Sequence, residues 1–101
     1  MHRLVYLPLA RKDLENITSY IADTLKDPQA ALNLVDFLDS SLEQLQHFPY
    51  LGKGYQPMQS TELDYRMMPV RNYLVFYVVI DQTIEIHRVI YKKTDLPNVI
   101  Q

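Results

Sequence analysis

Ala10, Leu14, Ile17, Ile21 and Leu25 recur at steps of three and four residues, while Arg11, Lys12, Glu15, Asn16 and Asp23 fall on the opposite face. That period predicts an amphipathic helix from Pro8 to near Lys26. Pro8 suits its first turn, where a missing N–H loses no partner. Residues 2–7 ahead of it read as a short strand rich in β-formers. Asp27-Pro28 marks the next boundary, an acidic N-cap followed by proline at the first helical position. A second stripe follows in Ala31, Leu34, Val35, Leu38, Leu42 and Leu45, with Asp36, Asp39 and Glu43 outside it and His47 and Phe48-Pro49 at its end. Helices joined by so short a link fold back as a hairpin.

Residues 49–60 hold both glycines and two of the prolines, and read as a surface loop. After it the period changes to two. Leu63–Met68 is a predicted strand, Pro69–Asn72 a break, and Tyr73–Ile80 a strand apolar on both faces, as a central strand should be. Asp81-Gln82 turns the chain into Thr83–Tyr91, completing an antiparallel meander. The order β-α-α-β-β-β predicts one α+β domain over residues 1–101, with the helical hairpin across one face of an antiparallel sheet.

Composition narrows the chemistry. The absence of cysteine removes disulfides, thiolate catalysis and Cys-based zinc sites. His2, His47 and His87 lie far apart without metal-ligand spacing, and neither phosphate-loop nor dinucleotide fingerprint occurs, so neither metal nor cofactor is expected. The longest apolar run, Leu74–Ile80, is seven residues, far short of a membrane span, and the expectation is a soluble cytoplasmic chain without membrane association. Net charge is −2, unlike a domain that wraps nucleic acid by electrostatics. The charge is uneven: residues 1–50 carry four Lys/Arg against seven acids, residues 51–101 six against five. An anion would go to the second half.

The clearest chemical candidate is the segment Glu85–Lys93. Strict alternation puts His87, Val89 and Tyr91 on one face and Arg88 and Ile90 on the other, with Lys92 and Lys93 past the strand end. His, Tyr and Lys near one strand end can form an anion site with a general acid or base; equally, Tyr91 packs, His87 is a satisfied sheet residue and the lysines are a solvated edge. Arg66 and Arg71 flank the break between two strands, where two guanidiniums can hold phosphate bidentately or pair with Glu62 or Asp64. Lys53 lies between Gly52 and Gly54, a weaker signal. Six of the eight tyrosines, Tyr50, Tyr55, Tyr65, Tyr73, Tyr77 and Tyr91, fall from residue 50 onward, beside the basic residues. Without net positive charge, that mixture favours a protein interface over base stacking.

The chain resembles the RelE/ParE superfamily of toxins from bacterial type II toxin–antitoxin modules, the plasmid-stabilisation type. The resemblance starts at Ala10-Arg11-Lys12-Asp13-Leu14-Glu15-Asn16-Ile17, like the family's A-x-x-DL-x-x-I helix opening. It runs through Tyr20-Ile21, Asp27-Pro28, Ala31, Leu45, Pro49 and Gly52. Tyr65-Arg66, Tyr73-Leu74-Val75-Phe76-Tyr77 and Arg88-Val89-Ile90-Tyr91 follow, ending at Asp95. It implies a growth-inhibiting toxin neutralised by a cognate antitoxin whose C-terminal segment wraps the hairpin and sheet. RelE-like members cut mRNA on the ribosome, holding phosphate with cations; ParE-like members poison DNA gyrase. Leu74 stands where RelE-like toxins carry an arginine, Tyr91 where many have histidine, and Lys93 replaces an arginine. With the long hairpin and the DL-x-x-I opening, these features lean toward ParE. Were the chain a metal-independent nuclease, Arg66, Arg71, Lys92, Lys93 and Lys53 would hold phosphate and Tyr91 would move the proton. A degenerate member that only binds antitoxin or co-represses its operon is the third reading.

Overall fold

The computed structural model describes residues 1–55 and 64–94. Its elements are β1 (Arg3–Tyr6), α1 (Pro8–Ser19), a π-helical turn (Tyr20–Thr24), α2 (Pro28–His47), β2 (Lys53–Gly54), β3 (Arg66–Val70), β4 (Tyr73–Ile80) and β5 (Thr83–Tyr91). The five strands form one sheet in the order β1-β5-β4-β3-β2, with β4 central as its two apolar faces require. β3, β4 and β5 make the expected antiparallel meander. β1 joins the β5 edge in parallel, so the sheet is mixed. Lys53–Gly54, read from sequence as loop, adds a fifth strand against Arg66–Met67.

The helices cover one face. Ala10, Leu34, Leu38, Leu42 and Leu45 pack with Met68, Val70, Val75, Tyr77, Ile84, Ile86 and Val89 in a single apolar core. Leu74, Phe76 and Ile90 form a smaller cluster on the other face, where Tyr55 and Met67 lie against them. Edge-on contact of Tyr55 with Phe76, ring centroids 5.0 Å apart, helps close it.

Helix boundaries follow the proline and acid signals. Lys26 takes a left-handed φ of 54° and ends the first helix, with the Asp27 N–H reaching back to Ile21 O. Asp27 then starts α2, its carboxylate accepting from the Ala30 N–H at 3.1 Å. The first helix is not uniform, however. The Leu25 N–H bonds Tyr20 O, five residues back, and this wider turn shifts the stripe. Leu25, expected in the core, is 56% exposed, and Tyr20 55%. Val35, also expected inside, lies at the edge of the buried stripe of α2.

Two strand readings change. The break expected at Pro69–Asn72 is a two-residue turn at Arg71-Asn72, and Pro69 lies inside β3 opposite Leu74. β2 reaches only Arg66–Met67, so Pro69 sits where β3 has no described neighbour on its second side, a position that tolerates a missing N–H. In β5, Phe76 opposes Arg88 while Tyr77 opposes Ile86, leaving His87 as a bulge. The bulge breaks strict alternation: His87 joins Tyr65 and Glu85 on the face away from the helices, and Val89 enters the helix-side core. The expectations for Leu63, Glu62, the loop at 56–60 and Asp95 lie outside the described residues.

Candidate functional site

The π-helical turn has a consequence at the end of the sheet. Tyr20, Ile21 and Leu25 line one side of a groove of about 870 Å³, whose other side is formed by Ala30, Asn33 and Leu34 of α2 and the β3–β4 turn. Its floor is Ile17, Ile21 and Leu34; Asn16, Asn33, Asn72, Tyr73 and Tyr91 supply a polar rim. Arg71 is the one charged residue lining it among the described residues. The groove thus presents an apolar floor, amide and phenol hydrogen-bonding groups, and a single positive charge. It suits an amphipathic polypeptide segment better than a small polar substrate.

Arg71 occupies a left-handed φ of 54°, a region in which a bulky L-residue is strained. Its guanidinium lies 4.1 Å from the Phe37 ring centroid, a cation–π stack that leaves the N–H edges for a ligand. Beside it Tyr91 meets Tyr73 edge-on at 5.7 Å. The Lys92 N–H donates to Asn72 O at 2.8 Å, tying the β5 end to the β3–β4 turn. Burial, followed by Tyr91 and Tyr20, raises the Tyr73 pKa, so its phenol stays a neutral donor.

Arg66 and Arg71 do not converge. They sit at opposite ends of β3, a strand of five residues and therefore roughly 16 Å. Arg66 pairs with Asp64 at 3.2 Å, the less chemical of the two expectations, and donates to Gly52 O at 3.1 Å. Its guanidinium also lies 4.7 Å from the Tyr50 ring centroid, and its Nε is buried without a hydrogen-bond partner among the described residues. Lys53, opposite Met67, belongs to this far end. The six cation and tyrosine candidates therefore split into Arg66 with Lys53, and Arg71 with Tyr91, Lys92 and Lys93.

His87 makes a different set of contacts. Its Nδ1 lies 2.9 Å from the Tyr65 hydroxyl and its Nε2 3.2 Å from Glu85. Neutral His87 protonated on Nε2 satisfies both, as acceptor from Tyr65 and donor to Glu85. Burial and the Glu85 charge raise the Tyr65 pKa. This is the satisfied sheet histidine of the plainer expectation.

Sequence reading missed the groove. Its signal was present in the surplus apolar residues of the first helix, Tyr20 and Leu25, which one straight stripe cannot bury together. It also passed over Asp13, whose carboxylate binds Arg88 and the Val89 N–H.

A family model for the ParE toxin of type II toxin–antitoxin systems, parDE, matches residues 4–96. Among solved structures, one described as a chromosomal ParDE toxin–antitoxin system from P. aeruginosa superposes with a TM-score of 0.71 at 22% identity, covering 90% of this chain and 96% of that one. At that identity the likeness is one of fold. No curated protein matches the chain.

Proposed function

The chain belongs to the ParE toxin family of type II toxin–antitoxin systems, and from that premise we propose that it arrests bacterial growth when free, by occupying a protein target, and is silenced by a cognate antitoxin. DNA gyrase is the target the family resemblance favours. The groove at the hairpin end is the natural seat for an amphipathic antitoxin segment, its apolar side chains against Ile17, Ile21 and Leu34 and a carboxylate at Arg71.

The scatter of the predicted phosphate ligands carries the choice of a protein-directed mode. A nuclease that stabilises a developing pentacovalent phosphate needs several cations around one point. Here Arg66 is engaged with Asp64, Gly52 and Tyr50, and the length of β3 separates it from Arg71 and Tyr91. A ribosome-dependent mRNA endoribonuclease would have to work from Arg71, Tyr91, Lys92 and Lys93 alone. Lysines hold phosphate only as point charges.

Inducing the chain alone in a bacterium while following methionine and thymidine incorporation tests this. Thymidine incorporation is expected to fall first, with translation intact. An early collapse of methionine incorporation overturns the protein-directed mode in favour of the nuclease. Unchanged growth overturns the toxin reading and leaves a module that only binds antitoxin.

A further inference from the structure

Beyond the C-terminus of α2, Phe48, Tyr50 and Leu51 are 66%, 61% and 53% exposed. Three large apolar side chains on one exposed turn are unusual unless something covers them. Their backbone is nevertheless held rigidly. The Leu51 N–H closes the turn onto Phe48 O at 3.1 Å. Beneath it the fully buried Tyr77 donates its hydroxyl to Pro49 O and accepts the Gly52 N–H, both at 2.9 Å. From the side, Arg66 donates to Gly52 O and stacks on the Tyr50 ring. Two long side chains from the sheet thus fix a turn that exposes its apolar residues. An exposed group immobilised before binding loses less entropy on docking, which is what an interface anchor requires.

The surroundings give the partner a sign. Asp64 is paired with Arg66, whereas exposed Lys53, two residues after Leu51, makes no ion pair among the described residues. Exposed His47 adjoins the turn on the other side. α2, with 20 residues and therefore roughly 30 Å long, carries this turn at one end and the groove at the other.

We propose that the turn Phe48–Leu51 is a preformed knob by which the free toxin grips its target, a protein presenting an apolar cleft with an acidic rim. The inference rests on the protein-directed toxin reading above. It assigns target and antitoxin to separate surfaces.

The test is colony survival after induction of the chain and its variants, with soluble yield and thermal unfolding measured on each purified protein. Phe48→Ser/Tyr50→Ser/Leu51→Ser should fold and lose killing, roughly tenfold or more in survivors, as removal of interface anchors does. Tyr77→Phe keeps all three side chains but frees the turn, and should kill less than the original chain. Lys53→Glu should also weaken killing. Leu32→Ser, which removes an equally exposed apolar residue from α2, should kill fully. Folded triple and Lys53→Glu variants that kill like the original chain overturn the knob while leaving the toxin reading intact. Loss of killing in Leu32→Ser as well overturns it too, since the effect is then not local. If the triple variant does not accumulate, Leu51→Ser and Lys53→Glu decide by the same criterion. An original chain that is harmless overturns the toxin reading itself, and the knob with it.

Discussion

The Asp13 carboxylate takes Arg88 Nε at 2.8 Å and Nη2 at 3.0 Å, and it also accepts the Val89 N–H at 3.0 Å. This joins the second turn of α1 to β5 immediately past the His87 bulge, where β1 has ended and β5 needs a new acceptor along that edge. The hydrogen bonds that Arg88 donates to Asp13 raise its already high pKa against the opposing effect of burial. One carboxylate therefore serves both a guanidinium and a backbone donor next to the bulge.

Asp13→Ala is expected to destabilise the fold by about 2 kcal/mol, the scale of charge-assisted hydrogen bonds lost from a partly buried site. For a chain of this length that lowers Tm by on the order of 10 °C. Thermal unfolding followed by circular dichroism measures it; a Tm unchanged within about 2 °C contradicts the role.

Gly52 is required by closeness, not by backbone angle. A Cβ there would lie 2.7 Å from Tyr77 Oη, 2.9 Å from its Cε1 and 3.0 Å from Met67 O. The Tyr77 ring is buried and cannot swing aside. Gly52→Ala is expected to cost about 1–3 kcal/mol through overpacking, whereas Gly54→Ala, with open space around it, should come within about 0.5 kcal/mol of the original chain. Urea unfolding of the two variants side by side makes the comparison.

Tyr6 gives the fold an alkaline limit. Burial, with the Asp39 charge second, pushes its pKa up to about 12 from 10. Below pH 10 the phenol is protonated in both folded and unfolded chains. Above pH 10 the unfolded chain releases the proton and the folded chain retains it, so stability drops as pH rises from 10 to 12. Tyr6→Phe should flatten that part of the urea-midpoint profile. An equally steep decline in the variant would assign it to other groups.

The helical half was legible because its punctuation is local: Pro8, Asp27 and Pro28 each act through their own φ angle or side chain. β4 was legible for a similar reason, its unbroken apolar run having no place except the centre of a sheet. What failed depended on partners. Pro69 looked like a strand breaker, and only the short reach of β2 leaves it room inside β3. His87 looked aligned with Tyr91 because one extra residue in a ladder leaves no mark on a single strand's alternation. The groove was hidden for the opposite reason: Leu25 reads as a core residue until the tertiary structure leaves it outside. Tyr50 and Leu51 fall in a segment that reads as a surface loop, and only the bonds from Tyr77 and Arg66 mark that loop as a fixed turn.

Tyr91, Lys92 and Lys93 separate the mechanisms. Tyr91→Phe and the Lys92→Ala/Lys93→Ala pair should leave killing unchanged in the colony assay, because a protein-directed toxin has no proton to move there. General acid–base catalysis would be reduced roughly 10²–10⁴-fold by the same changes. Loss of killing by either folded variant would therefore restore the nuclease.

Arg71 is the sharpest test of the groove, since its local geometry opposes its retention. A left-handed arginine costs roughly 1–2 kcal/mol relative to a residue at ease there, and stacking on Phe37 returns only about 0.5–1 kcal/mol at an exposed site. Asparagine tolerates that φ angle. Arg71→Asn should therefore keep Tm or raise it slightly, where a structural arginine would lower it by several degrees. If the guanidinium instead serves an acidic antitoxin segment, the same variant should bind that antitoxin more weakly by roughly tenfold. Its binding should also lose salt dependence, because one fewer charge pair is screened. Calorimetric titration at low and high salt measures both. A variant that binds as tightly as the original chain, with an unchanged salt slope, would remove Arg71 from the groove's recognition role.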